Sequence, residues 1–277
     1  MILITGASGT VGSEVVKALG ARGAPTRAAY RTRPQNVPAG VESVALDYDR
    51  PETIRPALEG VQTLFLLSNT VAPEKRVVDE ARRAGVRRIV KLSVLRAEDE
   101  GFVFGRWHRA VEKYIEASGL AWTFLRPNAF MQNVVNYMAP TIRDQSAIYA
   151  SAADGAVSGV DARDVGAVGA AALMESGHEG RAYDLTGPAA LTYKQIAEIL
   201  SGVLDRPIRY VPISPEQNKQ AAVAAGTPEA YADALVDLNR YYAEGQLSAV
   251  TPTVRLLSGR EPIPFEQFAR DHADKLR

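Results

Sequence analysis

Gly6, Gly9 and Gly12, spaced three apart in MILITGASGTVG at residues 1–12, are the residues whose type and spacing point most directly to chemistry. A tight turn, close approach of backbone to a pyrophosphate, and close helix-on-strand packing each exclude a Cβ, and glycine satisfies all three. Ser8, Thr10 and Val11 complete the loop. The helix start expected near Gly9 offers unpaired N–H groups and the positive end of its dipole to phosphate oxygens. The context is the one this chemistry requires. Ile2, Leu3 and Ile4 read as a short buried strand before the loop, and residues 13–22, with Val15, Val16 and Leu19 on one face, read as an amphipathic helix after it. Dinucleotide binding is the reading that uses all of these residues; the alternative is a turn whose glycines serve packing alone.

Arg31 and Arg33 are the second chemical signal. In dinucleotide folds an acidic residue about 20 positions beyond the glycines takes the ribose 2′-hydroxyl, whereas an arginine there suits a 2′-phosphate. Counting on from Gly12 reaches Arg31, and no Asp or Glu stands between residues 15 and 41. A guanidinium can grip phosphate through two parallel bonds and stack on a flat adenine, so the expectation is NADP(H) in preference to NAD(H); the competing reading is a pair of solvated loop arginines. Asp47 ends the strand expected over 41–47, where the adenine would lie. Leu67 and Ser68, with Asn69, end the nearly unbroken apolar run 61–67, and Ser93 falls near the end of the strand expected over 87–94. The rim outside the carboxyl ends of parallel strands is where ligands bind in open α/β sheets.

The elements that must position these residues alternate regularly. Strands are expected over 25–30, 41–47, 61–67, 87–94 and 121–125, and helices over 51–58, 74–84 and 107–118. This alternation predicts an α/β fold with a doubly wound parallel sheet. Past residue 128 the pattern changes. Residues 130–149 read as partly helical, Asp161 and Asp164 as helix caps before an alanine-rich helix, 183–186 as a further strand, and Thr192 as the cap of a helix with 3.6-residue apolar spacing. A strand is expected over 208–211 and a closing helix over 265–276. The domain reading is therefore a dinucleotide-binding unit at 1–128 with a return segment at 158–187, followed by a smaller C-terminal α+β substrate-capping unit at 188–277.

Composition narrows the function classes. The 277 residues carry 32 basic and 32 acidic side chains, so a broad basic face for nucleic acid is not expected. With no cysteine, disulfides, thiolate metal sites and cysteine nucleophiles are excluded, and any redox role must use a bound cofactor. Three histidines, at 108, 178 and 272, have no metal-ligand spacing, and no metal is expected. No apolar run approaches the roughly 18 residues that span a bilayer, and the first strand leaves no room for a signal peptide. The expectation is a cytoplasmic protein acting on a small molecule, without membrane or nucleic-acid partner; the oligomeric state is not legible.

Several separated motifs coincide with one family. TGASGTVG, the arginine-bearing loop 31–33, LDYDRPETIRPALEGVQTLFLLS, EARRAGVRRIVKLSV, HRAVEKYIEASGLAWTFLRPNAFMQN and YDLTGPAALTYKQIAEILS together resemble the NmrA-like group of atypical short-chain dehydrogenases. Within that group the chain looks most like the NAD(P)H quinone reductase and triphenylmethane reductase branch. The resemblance implies an extended Rossmann fold with a small C-terminal domain, and NADP(H) bound with its nicotinamide toward Pro127 and Asn128. Typical short-chain dehydrogenases carry Tyr-x-x-x-Lys, the tyrosine exchanging the substrate proton and the lysine lowering its pKa. Aligned through Glu112, those positions here hold Phe104 and His108. Phenylalanine has no proton to give. Two readings of His108 stand: a proton donor or hydrogen-bonding group near neutral pH, and a helix residue satisfied by local packing. Two stand for Ser93 as well: contact with the nicotinamide, or the end of a strand. Trp107, Phe130, Asn133 and Tyr137 are candidate walls of an acceptor pocket. The expected activity is hydride transfer to a quinone-like or conjugated electron-poor acceptor without a Tyr-Lys pair; the alternative is an NADP(H)-sensing regulator without turnover.

Overall fold

The computed structural model describes residues 1–32, 37–68 and 70–277. In chain order its elements are β1 (Ile2–Ile4), α1 (Thr10–Ala21), β2 (Thr26–Tyr30), β3 (Val41–Ala45), α2 (Ile54–Ala57), β4 (Thr63–Leu66), α3 (Val71–Arg83), β5 (Arg88–Leu92), α4 (Val103–Glu116), β6 (Ala121–Pro127), α5 (Ala139–Gln145), β7 (Ala147–Ala150), β8 (Ala156–Val157), α6 (Ala162–Met174), β9 (Arg181–Leu185), β10 (Leu191–Thr192), α7 (Tyr193–Leu204), β11 (Arg209–Pro212), α8 (Pro215–Ala224), α9 (Glu229–Ala243), α10 (Thr253–Ser258), α11 (Phe265–Asp271) and α12 (Ala273–Leu276).

Seven strands form one sheet in the order β3-β2-β1-β4-β5-β6-β9, and every neighbouring pair is parallel. Strand order reverses beside β1, so the chain winds outward in both directions from its first strand, the doubly wound arrangement of a Rossmann-like α/β fold. Alternate residues of the strands feed two cores. On one face Ile4, Phe65, Val90 and Leu125 pack against Val15 and Leu19 of α1 and Val165 and Val168 of α6. On the other, Leu3, Leu64, Leu66, Ile89 and Phe124 pack against Val77 and Val78 of α3 and Val111 and Ile115 of α4. A third core gathers Ile142, Ile148, Leu200, Leu204, Phe265, Phe268 and Leu276 beyond the main sheet. There β11 pairs in parallel with β7, while β10 pairs antiparallel with β8. The C-terminal segment also returns to the large sheet, where Val254 of α10 is buried in the first core.

The expected elements are found, with differences at their ends that have physical causes. Helix α4 starts at Val103 rather than 107, because Asp237 of α9 accepts the Val103 N–H at 2.8 Å and supplies a cap from far along the chain. Residues 130–149 are only partly helical: a π-turn at Val134–Met138 leads into α5, Ser146 turns the chain in the left-handed region at φ 52°, and the next four residues form β7, stabilised by pairing with a distant strand. The closing helix breaks at His272, whose Nδ1 lies 2.9 Å from the Phe268 carbonyl oxygen and whose ring stacks on Phe268.

Asp161 is the N-cap of α6, as its position before the alanine-rich run predicts. Asp164 is not a cap. It lies buried in the first turn, accepts the Ile263 N–H at 2.8 Å and pairs with Arg260, tying α6 to the chain before α11. Asp161 is fully buried; burial pushes its carboxyl pKa up, but bonds from the Arg163 side chain and backbone and from Gln132 outweigh that and hold it below the usual carboxylate range. A carboxylate with a lowered folded-state pKa contributes stability above its unfolded pKa of about 3.9, and the contribution is lost as pH falls through the folded value. Asp161→Asn is therefore expected to cost about 1–2 kcal/mol in urea unfolding at neutral pH, with the gap to the parent protein narrowing as the pH falls below about 4. A gap that stays constant down to acid pH would contradict the ionised cap.

Candidate functional site

The glycine loop folds back on itself at the carboxyl end of β1. Gly6 has φ +60°, and a Cβ there would meet the Leu67 side chain at 2.8 Å. A Cβ on Gly12 would lie 2.1 Å from the Gly6 carbonyl oxygen, and one on Gly9 3.2 Å from the same atom. The Gly9 N–H closes the turn onto Gly6 at 2.9 Å. Thr5 holds this turn to the end of β4, donating to the Phe65 carbonyl at 3.0 Å and accepting the Leu67 N–H at 2.8 Å. Gly9 caps α1 with extended backbone and no side-chain bond, no acidic residue stands in the first turn, and the Ser13 N–H bonds back to Gly9. The N–H groups of Thr10, Val11 and Gly12 ahead of it, with the helix dipole behind them, are donors of the kind that suit phosphate oxygens. Ser8 and Gly9 are exposed beside it. A cradle that any Cβ would fill fits a pyrophosphate, which needs the backbone itself to approach.

The other expected cofactor contacts fall along the same rim, with varied environments. Arg31 is exposed immediately after β2. Arg33 and Asn69 lie outside the described residues. Asp47 is half-buried, and its carboxylate accepts the Asp49 N–H at 3.0 Å. Ser68 bonds to Thr70 at 3.0 Å. Pro127 ends β6, and Asn128 is buried, with its amide donating to Ser158 and to the Leu247 carbonyl at 2.8 Å each while its Oδ1 accepts the Ala129 N–H. The candidate pocket walls do not form one cluster. Trp107 packs edge-on against Phe104 at 5.3 Å and near Tyr231, Phe130 packs against the first core, Asn133 is half-buried, and Tyr137 stands 76% exposed on the π-turn.

Two buried polar networks, only partly foreseen from the sequence, join β5 to the helices on its face. In the first, the Ser93 hydroxyl donates to Glu112 Oε1 at 2.6 Å, and Arg126 grips both oxygens of that carboxylate at 2.9 and 2.8 Å. Arg109 adds a bond at 3.1 Å, and Arg126 also pairs with Glu98. The Ser93 hydroxyl hydrogen is therefore given to Glu112, which leaves its oxygen as an acceptor. In the second, Lys91, fully buried, pairs with Glu74 at 3.1 Å, bonds to the Leu92 carbonyl, and places Nζ 3.2 Å from His108 Nδ1. Burial and the adjacent ammonium both push the His108 pKa well below its ordinary value. The neutral ring is thus the form at neutral pH, and an imidazolium acid there is disfavoured. Burial raises the Glu74 pKa against the pull of Lys91. The Tyr48 hydroxyl donates to the Leu67 carbonyl at 3.0 Å, and its pKa is raised by burial and by Glu74. His108, Trp107, Ser68, Thr70 and Glu74 border one crevice at the carboxyl end of β4, too tight to admit a water molecule.

Lys91 and Glu74 had detectable signals. Ile89, Lys91 and Ser93 share the strand's inward period of two, and Glu74 stands on the stripe continued by Val77, Val78 and Ala81; a charge at such a position is buried and must be paired. Among the described residues no cluster of metal-ligand side chains exists, and no helix is long and apolar enough to cross a membrane.

Comparison with known proteins gives the chain's family and fold relatives. The model of the NmrA-like family matches residues 1–269. The chain is 38% identical to the NAD(P)H azoreductase of Xenophilus azovorans, covering 99% of this chain and 98% of that protein. It is 39% identical, with the same coverage, to a (4-alkanoyl-5-oxo-2,5-dihydrofuran-3-yl)methyl phosphate reductase of Streptomyces griseus. Its fold superposes on that of an NADPH-dependent quinone oxidoreductase from Escherichia coli with a TM-score of 0.85 at 28% identity, over 99% of this chain and 100% of that one.

The cradle makes opposite predictions for two glycines of α1. Gly12→Ala must displace backbone, and is expected to lower stability by about 1–3 kcal/mol. Gly20→Ala meets nothing within 4 Å and is expected to raise stability by about 0.5–1 kcal/mol. Urea unfolding of the two variants checks both; equal effects would mean that the turn is looser than described.

Proposed function

The chain belongs to the NmrA-like family, and from that membership we propose that it is an NADPH-dependent reductase delivering hydride to a quinone-like or similarly conjugated, electron-poor small molecule. The observation that carries this reading is the cradle at Gly6, Gly9 and Gly12, closed to any Cβ and open at the N-terminus of α1. When bound, a reduced nicotinamide supplies the hydride.

The chain's own residues bind, orient and shield. Backbone N–H groups of Thr10 to Gly12 take the pyrophosphate, and Arg31, with Arg33, takes the 2′-phosphate. Leu67, Ser68, Pro127 and Asn128 border the space at the strand ends where the nicotinamide belongs, and residues 188–277 cap it. Phe104, buried against Trp107 and Tyr231, offers no proton, which favours acceptors that take hydride without a tyrosine acid. An azo compound, a butenolide and a quinone, the acceptor types suggested by the names of the three relatives, share that electron-poor conjugation. Catalysis is then chiefly orientation of acceptor against hydride donor and exclusion of water.

Absorbance assays of NADPH and NADH oxidation with quinone, azo and enone acceptors test the reading, with turnover expected and faster with NADPH. Arg31→Asp is expected to lower the NADPH to NADH preference by about tenfold or more, the worth of one charge-assisted phosphate contact. An unchanged ratio would remove Arg31 from the cofactor site, and failure of either nucleotide to bind would overturn the reductase reading.

A further inference from the structure

The pair Glu74–Lys91 joins α3 to β5 inside the main sheet's packing layer. Lys91 is 0% and Glu74 1% exposed. Burying two charges is costly, and replacing such a pair with apolar side chains is often neutral or stabilising, so packing alone does not account for it. Lys91 has one further polar side-chain neighbour, His108 Nδ1 at 3.2 Å. A lysine ammonium can only donate. Nδ1 therefore accepts, and the ring's hydrogen is placed on Nε2, on the side of the imidazole away from the buried pair. Among the described residues nothing bonds Nε2, and the ring borders a tight crevice shared with Ser68, Thr70 and Trp107 at the carboxyl end of β4. That is the rim to which the proposed acceptor comes.

We propose that His108 is the proton donor to the reduced acceptor and that Lys91, held by Glu74, recharges it through Nδ1. This rests on the reductase reading given above. Once the acceptor has gained hydride it carries a negative charge on oxygen or nitrogen. The His108 Nε2–H bond breaks and its proton goes to that atom. The Lys91 Nζ–H bond breaks and its proton goes to Nδ1, so the imidazole stays neutral throughout and changes only its tautomer. The lysine is left as an amine beside Glu74; between turnovers a solvent proton returns to Nε2 and the Nδ1 proton passes back to Lys91, which restores both the Nε2–H tautomer and the ammonium. Hydride and proton together reduce the acceptor by two electrons. His108 is the catalytic residue here; Lys91 and Glu74 are positioning residues acting through it.

The ionisable groups packed around the ring come from every neighbouring element: Lys91 from β5, Glu74 from α3, and Tyr48 from the segment after β3, which faces Glu74. Glu112, one turn along α4, is neutralised by Arg126 and Arg109. The lowered pKa of His108 agrees with an imidazole that donates as a neutral relay.

The first test needs no cofactor. With histidine 15N-labelled, three side chains report, and His178→Asn and His272→Asn assign His108 by elimination. Long-range 1H–15N correlation is expected to show the Nε2–H tautomer, neutral across the range from weakly acid to weakly alkaline pH. In Lys91→Met, paired with Glu74→Gln to leave no buried charge, the tautomer preference is expected to relax and the titration midpoint to move up. The second test follows reduction of 2-methyl-1,4-naphthoquinone by NADPH. His108→Phe and the Lys91→Met/Glu74→Gln pair are each expected to lower kcat about tenfold or more, the typical scale of general acid catalysis being a hundredfold or above, while NADPH affinity measured by fluorescence titration is unchanged. A native His108 in the Nδ1–H form, or variants with full kcat, would overturn the relay while leaving an NADPH-binding reductase intact. Failure of the native protein to bind NADPH would overturn the reductase reading and the relay with it.

Discussion

The structure depends on backbone packed against backbone where β1 becomes α1. The Gly12 Cα faces the Gly6 carbonyl so closely that one added carbon would sit 2.1 Å from the oxygen. This contact sets how near the first helix lies to the sheet, and the same economy continues on its far side. A Cβ on Gly166 of α6 would strike the Glu14 backbone at 2.8 Å, and one on Gly169 would press the Val15 side chain at 3.1 Å. Helix α6 therefore lies flush on α1, and α1 flush on the strands. Where the chain closes helix starts with its own side chains it uses Asp161, Thr192 and Ser214. At α1 it uses Gly9, which satisfies none of the first N–H groups. The packing that brings this helix to the rim and the lack of a cap at its end are two consequences of the same glycines, and together they leave backbone donors open at the rim, the arrangement that suits an anion.

On the opposite face, β5 and α4 meet through charge as well as apolar contact. His108 and Glu112 lie four apart on one side of α4 and take Lys91 and Ser93, two apart on one side of the strand. Val111 and Ile115 fill the remaining contact with Ile89. The two networks differ in kind. Glu112 is held by three hydrogen-bonding side chains, two of them guanidinium groups that stay charged at any working pH, so it is fixed. Glu74 is held by Lys91 and by Ser68, with no guanidinium beside it, next to an imidazole that can pass a proton on. A buried network with no movable proton fixes geometry; one with a movable proton can also take part in chemistry.

The sheet and its order of elements were legible because each strand carries an unbroken or alternating apolar run, and each helix a stripe of 3.6-residue spacing, both consequences of burial on two faces. The glycine cradle was legible for a related reason: a turn with no room for Cβ leaves its mark in residue type. Elements stabilised by distant partners were not. β7 needs β11 to pair with, and the first turn of α4 needs Asp237 from α9; neither partner is near in sequence, and tertiary contact overrides local propensity. Ser93 at a strand end looked available to a ligand, yet its hydroxyl hydrogen is given to Glu112, a pairing that no local pattern encodes. His108 was visible as a rare residue type, whereas the lysine that sets its tautomer reaches it across the strand–helix interface.

Phe104 brings these threads together. Its ring meets Trp107 at 5.3 Å and Tyr231 at 5.1 Å, both edge-on, and with Phe102 and Ala234 it forms the seat on which α9 docks against α4. The first turn of α4 is thus occupied with holding the C-terminal segment in place through aromatic contact. His108 lies one turn further on, past the seat, where the helix face changes from aromatic to polar. On the proposed reading, the proton source has moved from the first turn of the helix to the ring between helix and strand. Donor strength is then set by charges inside the sheet rather than by solvent. Because α4 carries both the α9 seat and His108, a shift of the C-terminal segment that moved Phe104 would also move the imidazole relative to Lys91.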